Sequence, residues 1–274
     1  MRNPKLSRPF LKWAGGKTRL LQSLLPYFPT GARLIEPFVG AGSVFLATDY
    51  PAYVLNDANP DLVATWVALR ERPRQYIRDA SSLFCDANHS QARYLELRDE
   101  FNASADRYRR AVLLPYLNKF GFNGLYRVNR AGGFNVPYGK PASLPLFPFD
   151  AAAVAAERLK RAVVLGGDFA AAIEMARPGD VIYCDPPYLD SESGASFTAY
   201  TAEGFSLEDH QRLVVAAKRA ASRRATVLIS NHDTEETRDL YRGLELHPLK
   251  VERSISASNA GRGACGELLA ILRG

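Results

Sequence analysis

Short apolar, β-branched segments recur along the 274-residue chain and alternate with amphipathic stretches. The apolar segments are RLIEPF (33–38), YVLND (53–57), VVLGGDF (163–169), VIYCDPPY (181–188), TVLISN (226–231), LKVERSIS (249–256) and ELLAIL (267–272). Apolar residues recur at intervals of three and four, as is typical of helices, in KTRLLQSLLPYF (17–28), DAAAVAAERLKRA (150–162) and SLEDHQRLVVAAKRAA (206–221). This alternation predicts an α/β domain with a largely parallel sheet.

The alternation lapses between residues 60 and 161. Two helical stretches, 61–80 and 91–118, lead there into the segment KFGFNGLYRVNRAGGFNVPYGKP. This segment mixes basic residues with aromatics, Asn and Gly, and it predicts a β-hairpin with LYRV and FNVP as arms and residues 129–133 as the turn. We therefore expect a catalytic domain made of residues 1–59 and 162–274, interrupted by an insertion of residues 60–161.

Composition narrows the class of protein only modestly. A formal net charge of +6 favours a polyanionic partner, although many basic proteins never bind nucleic acid. The three cysteines are far apart and form no CxxC pair, which argues against a disulfide framework or a zinc knuckle and favours a reducing cytoplasm. No apolar run approaches the roughly 18 residues of a membrane helix, so no membrane association is expected. The four histidines are scattered along the chain, so no metal site is expected either.

Ligands of α/β domains bind at the carboxyl ends of the strands, and two acids stand at such ends. Glu36 ends a strand and leads into a turn in which Gly40 and Gly42 permit close approach by a ligand. The turn is not a GxGxxG fingerprint, so a pyrophosphate is not implied. Asp57 ends the next strand, where an acid can accept hydrogen bonds from ribose hydroxyls. Together they favour an adenosine-type cofactor over an ordinary strand-to-helix turn.

The tetrapeptide Asp185-Pro186-Pro187-Tyr188 directly follows the predicted strand VIYC. Prolines end the strand ladder and fix the backbone. The amine of a purine is a poor nucleophile because its lone pair is delocalised into the ring. The Asp185 carboxylate and the Pro186 carbonyl can accept both amine hydrogens and favour a pyramidal nitrogen, while Tyr188 can stack on an extruded base. Methyl transfer from a sulfonium then needs mainly positioning. The alternative is a proline-rich turn with a capping Asp.

The segment FLKWAGGKT superficially resembles a phosphate-binding P-loop. The pattern GxxxxGK[ST], however, needs a glycine where Leu11 stands, and no strand clearly precedes the segment. A nucleoside triphosphatase is therefore not expected.

Taken together, these motifs resemble the Dam-type DNA adenine-N6 methyltransferases, in which the cofactor motif precedes the target-recognition region. The similar segments cover nearly the whole chain in order: FLKWAGGK, EPFVGAGSVF, LNDANPDL, YLNKFGFNGLYRVNRAGGFNVPYG, DPPY with FTAY, SNHDT and RSIS. DPPY alone is shared with other methyltransferase classes, whereas KWAGGK and the hairpin segment are more specific. The resemblance implies an α/β, Rossmann-like, S-adenosylmethionine-dependent methyltransferase fold whose insertion is a mainly helical target-recognition domain.

The resemblance also implies roles for individual residues. The implied catalytic residues are Asp185, Pro186, Pro187 and Tyr188. The residues implied to hold S-adenosylmethionine are Trp13, Lys17, Asp57 and Asp185, with Glu36, Gly40 and Gly42 lining the same pocket. The implied DNA-binding residues are Lys12, Phe122, Asn123, Leu125, Arg127 and Pro137. Of these, Arg127 suits bidentate recognition of guanine O6 and N7, and Phe122 suits insertion into the base stack.

The implied reaction is methylation of adenine N6 in double-stranded DNA by base flipping, at the sequence GATC, by a cytoplasmic enzyme acting as a monomer. PASLPLFP and SASNAGRGACGELLA carry fewer basic residues than similar family members, which predicts weaker phosphate contacts there. SESGASFTAYTAEGF is expected to order over the flipped base only in the complex. The alternatives are an amine methyltransferase acting on cytosine N4 or an RNA base, and a DNA-binding protein with an inactive cofactor site.

Overall fold

A computed structural model of the chain describes residues 8–188, 204–249 and 266–274. Its strands are β1 (Arg33–Glu36), β2 (Ala52–Asp57), β3 (Ala162–Gly166), β4 (Val181–Cys184), β5 (Thr226–Asp233), β6 (Glu245–Leu249) and β7 (Gly266–Leu272). They form one seven-stranded sheet in the order β3-β2-β1-β4-β5-β7-β6. The first five strands are parallel, while β7 runs antiparallel between β5 and β6.

Helices cover both faces of this sheet. In the described part of the chain they are α1 (Leu21–Leu24), α2 (Ser43–Ala47), α3 (Pro60–Glu71), α4 (Pro73–Ser81), α5 (Gln91–Ala103), α6 (Arg107–Phe120), α7 (Phe149–Leu159), α8 (Phe169–Glu174), α9 (Leu207–Ser222) and α10 (Glu235–Leu240). Successive strand residues point to opposite faces, so Leu34 joins the core formed with α3–α7 and Ile35 joins the core formed with α8 and α9. Burial on both faces explains why the central strands are continuously apolar.

The chain crosses from β1 to β2 on one side of the sheet and later enters β4 on the other side of β1. The carboxyl ends of β1, β2 and β4 therefore meet at one edge, at the point where the strand order reverses. This arrangement is the Rossmann-like α/β fold that the sequence predicts. Within the described ranges, no helix is both long and apolar enough to cross a bilayer.

Most predicted elements are confirmed, with differences at helix breaks. The predicted helix over 17–28 is wrong: it is reduced to the four residues of α1 between two 3-10 turns, Lys17–Arg19 and Leu25–Tyr27. Pro26 has no N–H to donate and cannot continue α1. The stretch 61–80 divides at Pro73, and the stretch 91–118 divides at Asp106, which caps α6 through Tyr108 N. Most of the predicted strand 249–256 lies outside the described residues.

The predicted hairpin is a long loop closed by two isolated antiparallel bridges, Gly121 with Tyr138 and Val128 with Phe134. Its turn is where the sequence places it, because Asn129 N donates to Gly133 O at 2.9 Å. A 3-10 turn at Phe122–Gly124 lies between the two bridged positions, Gly121 and Val128. We refer to residues 119–140 as the recognition loop.

Candidate active site

The two glycines after β1 have backbone conformations that residues with a side chain rarely adopt. Gly40 has φ +51° and Gly42 has φ +73°. A Cβ added to Gly40 would lie 3.2 Å from the ring of Trp13, and one added to Gly42 would lie 3.1 Å from the ring of Trp66. Trp66 Nε1 donates a hydrogen bond of 3.0 Å to Gly40 O. The rings of Trp13 and Trp66 thus pack closely against this turn, which favours glycine at both positions.

Asp57, at the end of β2, is tied to the same turn. Its Oδ2 accepts from Gly40 N at 3.0 Å and its Oδ1 accepts from Asn59 N at 2.9 Å. Burial raises the pKa of Asp57 to about 6, although backbone N–H groups oppose this shift. The carboxylate is therefore ionised at neutral pH, and each oxygen has a further lone pair with which to accept a hydroxyl.

A cavity of about 490 Å³ opens beside Asp57. Its lining includes Gly166 at the end of β3, Gly167 directly after it, and the face of α3 that carries Val63 and Val67. The volume is within the usual range for small-molecule sites. The cavity reaches the ends of β2 and β3, where a nucleoside would meet Asp57, but its lining does not include Asp185.

Glu36, at the end of β1, is almost completely buried, with 2% of its surface exposed. Its Oε1 has no hydrogen-bond partner among the described residues. Burial first, and then the nearby Asp185 carboxylate, raise the pKa of Glu36 well above its ordinary value. Buried polar atoms are normally paired, so this oxygen is expected to meet a donor or a cation supplied by a ligand.

Lys17, Asp185, Tyr188 and Glu267 converge on one another, and we call them the buried quartet. Lys17 Nζ lies 2.7 Å from Asp185 Oδ1 and 3.3 Å from Glu267 Oε1. The Tyr188 hydroxyl donates to Glu267 Oε1 at 2.7 Å and Oε2 at 2.9 Å, and it also accepts from Lys17 Nζ. The quartet joins the segment before α1, the loop after β4 and the start of β7.

Electrostatics couple the members of the quartet. Burial would lower the pKa of Lys17, but the carboxylates of Asp185 and Glu267 outweigh burial and raise it. Burial raises the pKa of Asp185 and of Glu267, and Lys17 opposes both shifts. One ammonium thus faces two carboxylates, which leaves an excess of negative charge and suits a positively charged ligand.

The ring of Tyr188 is held in place by contacts on its surface. Its centroid lies 4.1 Å from that of His232, with an interplanar angle of 61°. Lys17 Nζ lies 4.3 Å from the ring centroid. His232 pairs with Glu267 across β5 and β7. The sequence reasoning did not single out His232 or Glu267, although Glu267 is an acid that begins an otherwise apolar strand.

The residues expected to bind DNA lie on or beside the recognition loop. Four are exposed there: Phe122, with half of its surface in solvent, Asn123, Arg127 and Pro137; Leu125 is half-buried. Arg127 Nε donates to Asn135 Oδ1 at 2.7 Å, which orients the guanidinium.

Lys12 is exposed and distant in sequence, but Asn118 joins it to this loop. The buried Asn118 accepts from Lys12 N and donates to Lys12 O and Gly124 O, each at 2.8 Å. This clamp was not predicted from the sequence.

A second link runs from the recognition loop to the turn after β1. The Tyr126 hydroxyl donates to Asp61 Oδ2 at 2.6 Å. The Tyr126 ring packs on Trp13, with centroids 5.3 Å apart and an interplanar angle of 33°. The loop and the turn after β1 are therefore held as neighbours through Trp13.

The fold and the site define the class of protein. The strand order is 3-2-1-4-5-7-6, and β7 is antiparallel. Carboxylates end β1 and β2 and follow β4. This is the Rossmann-like arrangement of an S-adenosylmethionine-dependent methyltransferase.

Comparison with known proteins then gives the family. A model of the D12 class N6 adenine-specific DNA methyltransferases matches residues 13–255. A DNA adenine methylase of Vibrio cholerae serotype O1 (strain El Tor Inaba N16961) is 45% identical over 268 residues, which covers 97% of this chain and 96% of the relative. The DNA adenine methylase of Serratia marcescens is 44% identical over 98% of this chain and 100% of its own length. That of Escherichia coli (strain K12) is 43% identical over 98% and 96%.

The chain therefore belongs to the D12 class of N6 adenine-specific DNA methyltransferases. It is an S-adenosylmethionine-dependent enzyme that methylates adenine in DNA. The site fits this cofactor, because the unpaired Glu36 Oε1 and the excess negative charge of the quartet suit its ammonium and sulfonium groups, and Asp57 suits its ribose hydroxyls.

Proposed function

We propose that the enzyme methylates the adenine of GATC in double-stranded DNA, acting as a monomer on a base rotated out of the helix. Two observations carry this proposal. Asp185 and Tyr188 lie in a buried, charged site, and Trp13 and Tyr126 join the turn after β1 to an exposed loop that presents Arg127. A base within a duplex cannot reach a site of this kind unless it leaves the stack.

The proposed catalytic residues are those of the segment 185–188. The Asp185 carboxylate and the Pro186 carbonyl accept the two hydrogens of the adenine amine, and Pro187 fixes the backbone between them and Tyr188. The Tyr188 ring, already fixed by His232 and Glu267, stacks on the extruded adenine. When bound, S-adenosylmethionine supplies an electrophilic methyl group on a sulfonium. The raised pKa of Asp185 makes its carboxylate a better acceptor for the proton that the methylated nitrogen must lose.

The proposed cofactor pocket lies between the turn after β1 and the quartet. Glu36, whose Oε1 is unpaired among the described residues, would hold the ammonium group of the cofactor, and Asp57 would hold its ribose hydroxyls. Gly40 and Gly42 allow the backbone to come close, and Trp13 packs against this turn. Lys17 and Asp185 complete the charged end of the pocket.

We propose that residues 60–161 act as the target-recognition unit. Arg127, oriented by Asn135, reads a guanine, while Phe122 is the apolar wedge that enters the base stack. Lys12, held against the recognition loop by Asn118, contacts the first guanine of the site. The remaining proposed base contacts are Asn123, Leu125 and Pro137.

One assay tests the reaction and its specificity together. Labelled S-adenosylmethionine is incubated with duplexes containing GATC, hemimethylated GATC or GTTC. Label is expected on both strands of GATC, on the unmethylated strand of hemimethylated GATC, and not on GTTC. No transfer to any duplex would contradict the enzymatic activity, and equal transfer to GATC and GTTC would contradict the specificity.

Two variants test the proposed roles. Asp185→Ala should abolish methyl transfer while the protein still retains DNA, and surviving activity would refute the acceptor role. Arg127→Ala should relax base choice at a cost of about 1–3 kcal/mol in discrimination. Arg130→Ala, at the exposed turn of the same loop, is the matched control and should leave base choice unchanged. Base rotation is checked with 2-aminopurine at the target position, whose fluorescence should rise on binding.

A further inference from the structure

Glu267 is a buried acid to which the proposed mechanism gives only the fixing of Tyr188, with no part in binding the cofactor. It lies near the start of β7, in a strand whose following residues are all apolar, and only 5% of its surface is exposed. Placing a carboxylate in such surroundings is costly unless it is paired. Among the described residues, Glu267 is paired by two members of the buried quartet, Tyr188 and Lys17.

Glu267 holds two groups of the quartet at once. Its two oxygens accept from the Tyr188 hydroxyl at 2.7 and 2.9 Å, and its Oε1 lies 3.3 Å from Lys17 Nζ. Lys17 is already paired with Asp185 at 2.7 Å. Lys17 thus shares its single positive charge between two carboxylates, and the quartet carries one negative charge in excess.

The methyl donor and its product differ in charge, so the excess negative charge affects their binding differently. The methyl donor carries a sulfonium, whereas its demethylated product, S-adenosylhomocysteine, carries an uncharged thioether. A negative charge that is shared across a water-poor site stabilises the first ligand and has little effect on the second. Burial opposes the ionisation of Glu36, so among the described carboxylates of the site it is the quartet that supplies the excess negative charge.

We infer that Glu267 is a specificity-determining residue whose carboxylate makes the site prefer the cationic methyl donor to its neutral demethylated product. The inference rests on the proposed placement of the cofactor beside Lys17 and Asp185. It assigns Glu267 a role in exchanging product for fresh donor, in addition to holding Tyr188.

The test is calorimetric titration of the full-length protein, without DNA, with S-adenosylmethionine and with S-adenosylhomocysteine. The measured quantity is the ratio of the two dissociation constants. Glu267→Gln keeps the size of the side chain and an oxygen for Tyr188, but it removes the charge. It should shift the ratio against S-adenosylmethionine by about tenfold or more, the usual effect of one nearby charge on an ionic equilibrium.

Three further variants separate charge from packing. Glu267→Asp retains the charge and should keep the wild-type ratio even where both affinities fall. Tyr188→Phe removes the hydrogen bond to Glu267 but no charge, so the ratio should again be that of the wild type. Glu245, an exposed acid on the neighbouring strand β6, pairs with Arg273. Glu245→Gln is the matched surface control and should change neither affinity.

Several outcomes would overturn the inference. Equal loss of both affinities in Glu267→Gln would show a purely structural role, and an equal shift of the ratio in Tyr188→Phe would show that packing is the cause. If Glu267→Gln does not fold, the ratio of the two dissociation constants is measured for Glu267→Ala instead. Failure of the wild-type protein to bind either ligand would instead refute the proposed cofactor site.

Discussion

Replacing Asp61 by alanine removes the acceptor that joins α3, α6 and the recognition loop. The carboxylate of Asp61 is buried, and it accepts from Arg110 Nε at 2.6 Å, from Arg110 Nη2 at 2.8 Å and from the Tyr126 hydroxyl at 2.6 Å. Removing one partner of a buried ion pair leaves the other charge uncompensated and typically costs about 3–5 kcal/mol. Because the Arg110 side chain is 21% exposed and water can reach it, we expect the lower end of that range, about 3 kcal/mol.

The cost is measured as the free energy of unfolding in urea, and as a thermal midpoint that should fall by about 6–12 °C. Glu100→Ala is the matched control, since Glu100 pairs with the neighbouring Arg109 of α6 at 2.5 Å but both side chains are over one third exposed. That exposed pair should contribute less than about 1 kcal/mol. If Asp61→Ala costs no more than Glu100→Ala, burial is not what makes the Asp61 pair important.

Three further outcomes are expected. Burial lowers the pKa of His210 from 6.5 to about 4, so its contribution to stability is complete above pH 6.5 and is lost as the pH falls toward 4. The loss should reach about 3 kcal/mol in urea unfolding, and His210→Leu should flatten this pH dependence; an unchanged acid limb would refute the assignment. With the pKa of Asp57 raised to about 6 by burial, affinity for S-adenosylmethionine should weaken below pH 6, by up to about tenfold per pH unit, and Asp57→Asn should abolish that trend in calorimetry. Gly124 has φ +67°, and an added Cβ would lie 2.5 Å from Lys12 Cδ, so Gly124→Ala should weaken duplex binding in fluorescence anisotropy while cofactor binding persists. Gly132→Ala, at φ +80° with open space around it, carries the same backbone cost, so equal effects of the two variants would exclude displacement of Lys12 as the cause.

Structural features that depend only on residues adjacent in sequence could be predicted from the sequence. The strand segments follow from runs of apolar, β-branched residues, and the positions of Glu36, Asp57 and Asp185 at strand ends follow from those runs. The parallel order then brings the three carboxylates to one edge, as expected. The same local reasoning was wrong for residues 17–28, where the apolar spacing is helical but Pro26 ends the helix after one turn.

The recognition loop shows where local signals are incomplete. The turn at residues 129–133 was predicted because its residues favour turns by themselves. The 3-10 turn at Phe122–Gly124, between the bridged positions Gly121 and Val128, was not predicted. Asn123 adopts φ +55° there, and no spacing of apolar residues reports such a conformation.

The residues that complete the site were decided by the tertiary structure alone. Asn118 meets Lys12 across 106 positions of sequence, and Glu267 meets Tyr188 across 79. Such pairs depend on which strands and helices become neighbours, and above all on β7 entering the sheet antiparallel beside β5. The sequence by itself determined the chemistry at each strand end, because a strand and the loop that follows it are continuous in the chain. Only the order of the strands decided that one lysine would face two carboxylates, because side chains far apart in sequence meet only when the sheet is assembled.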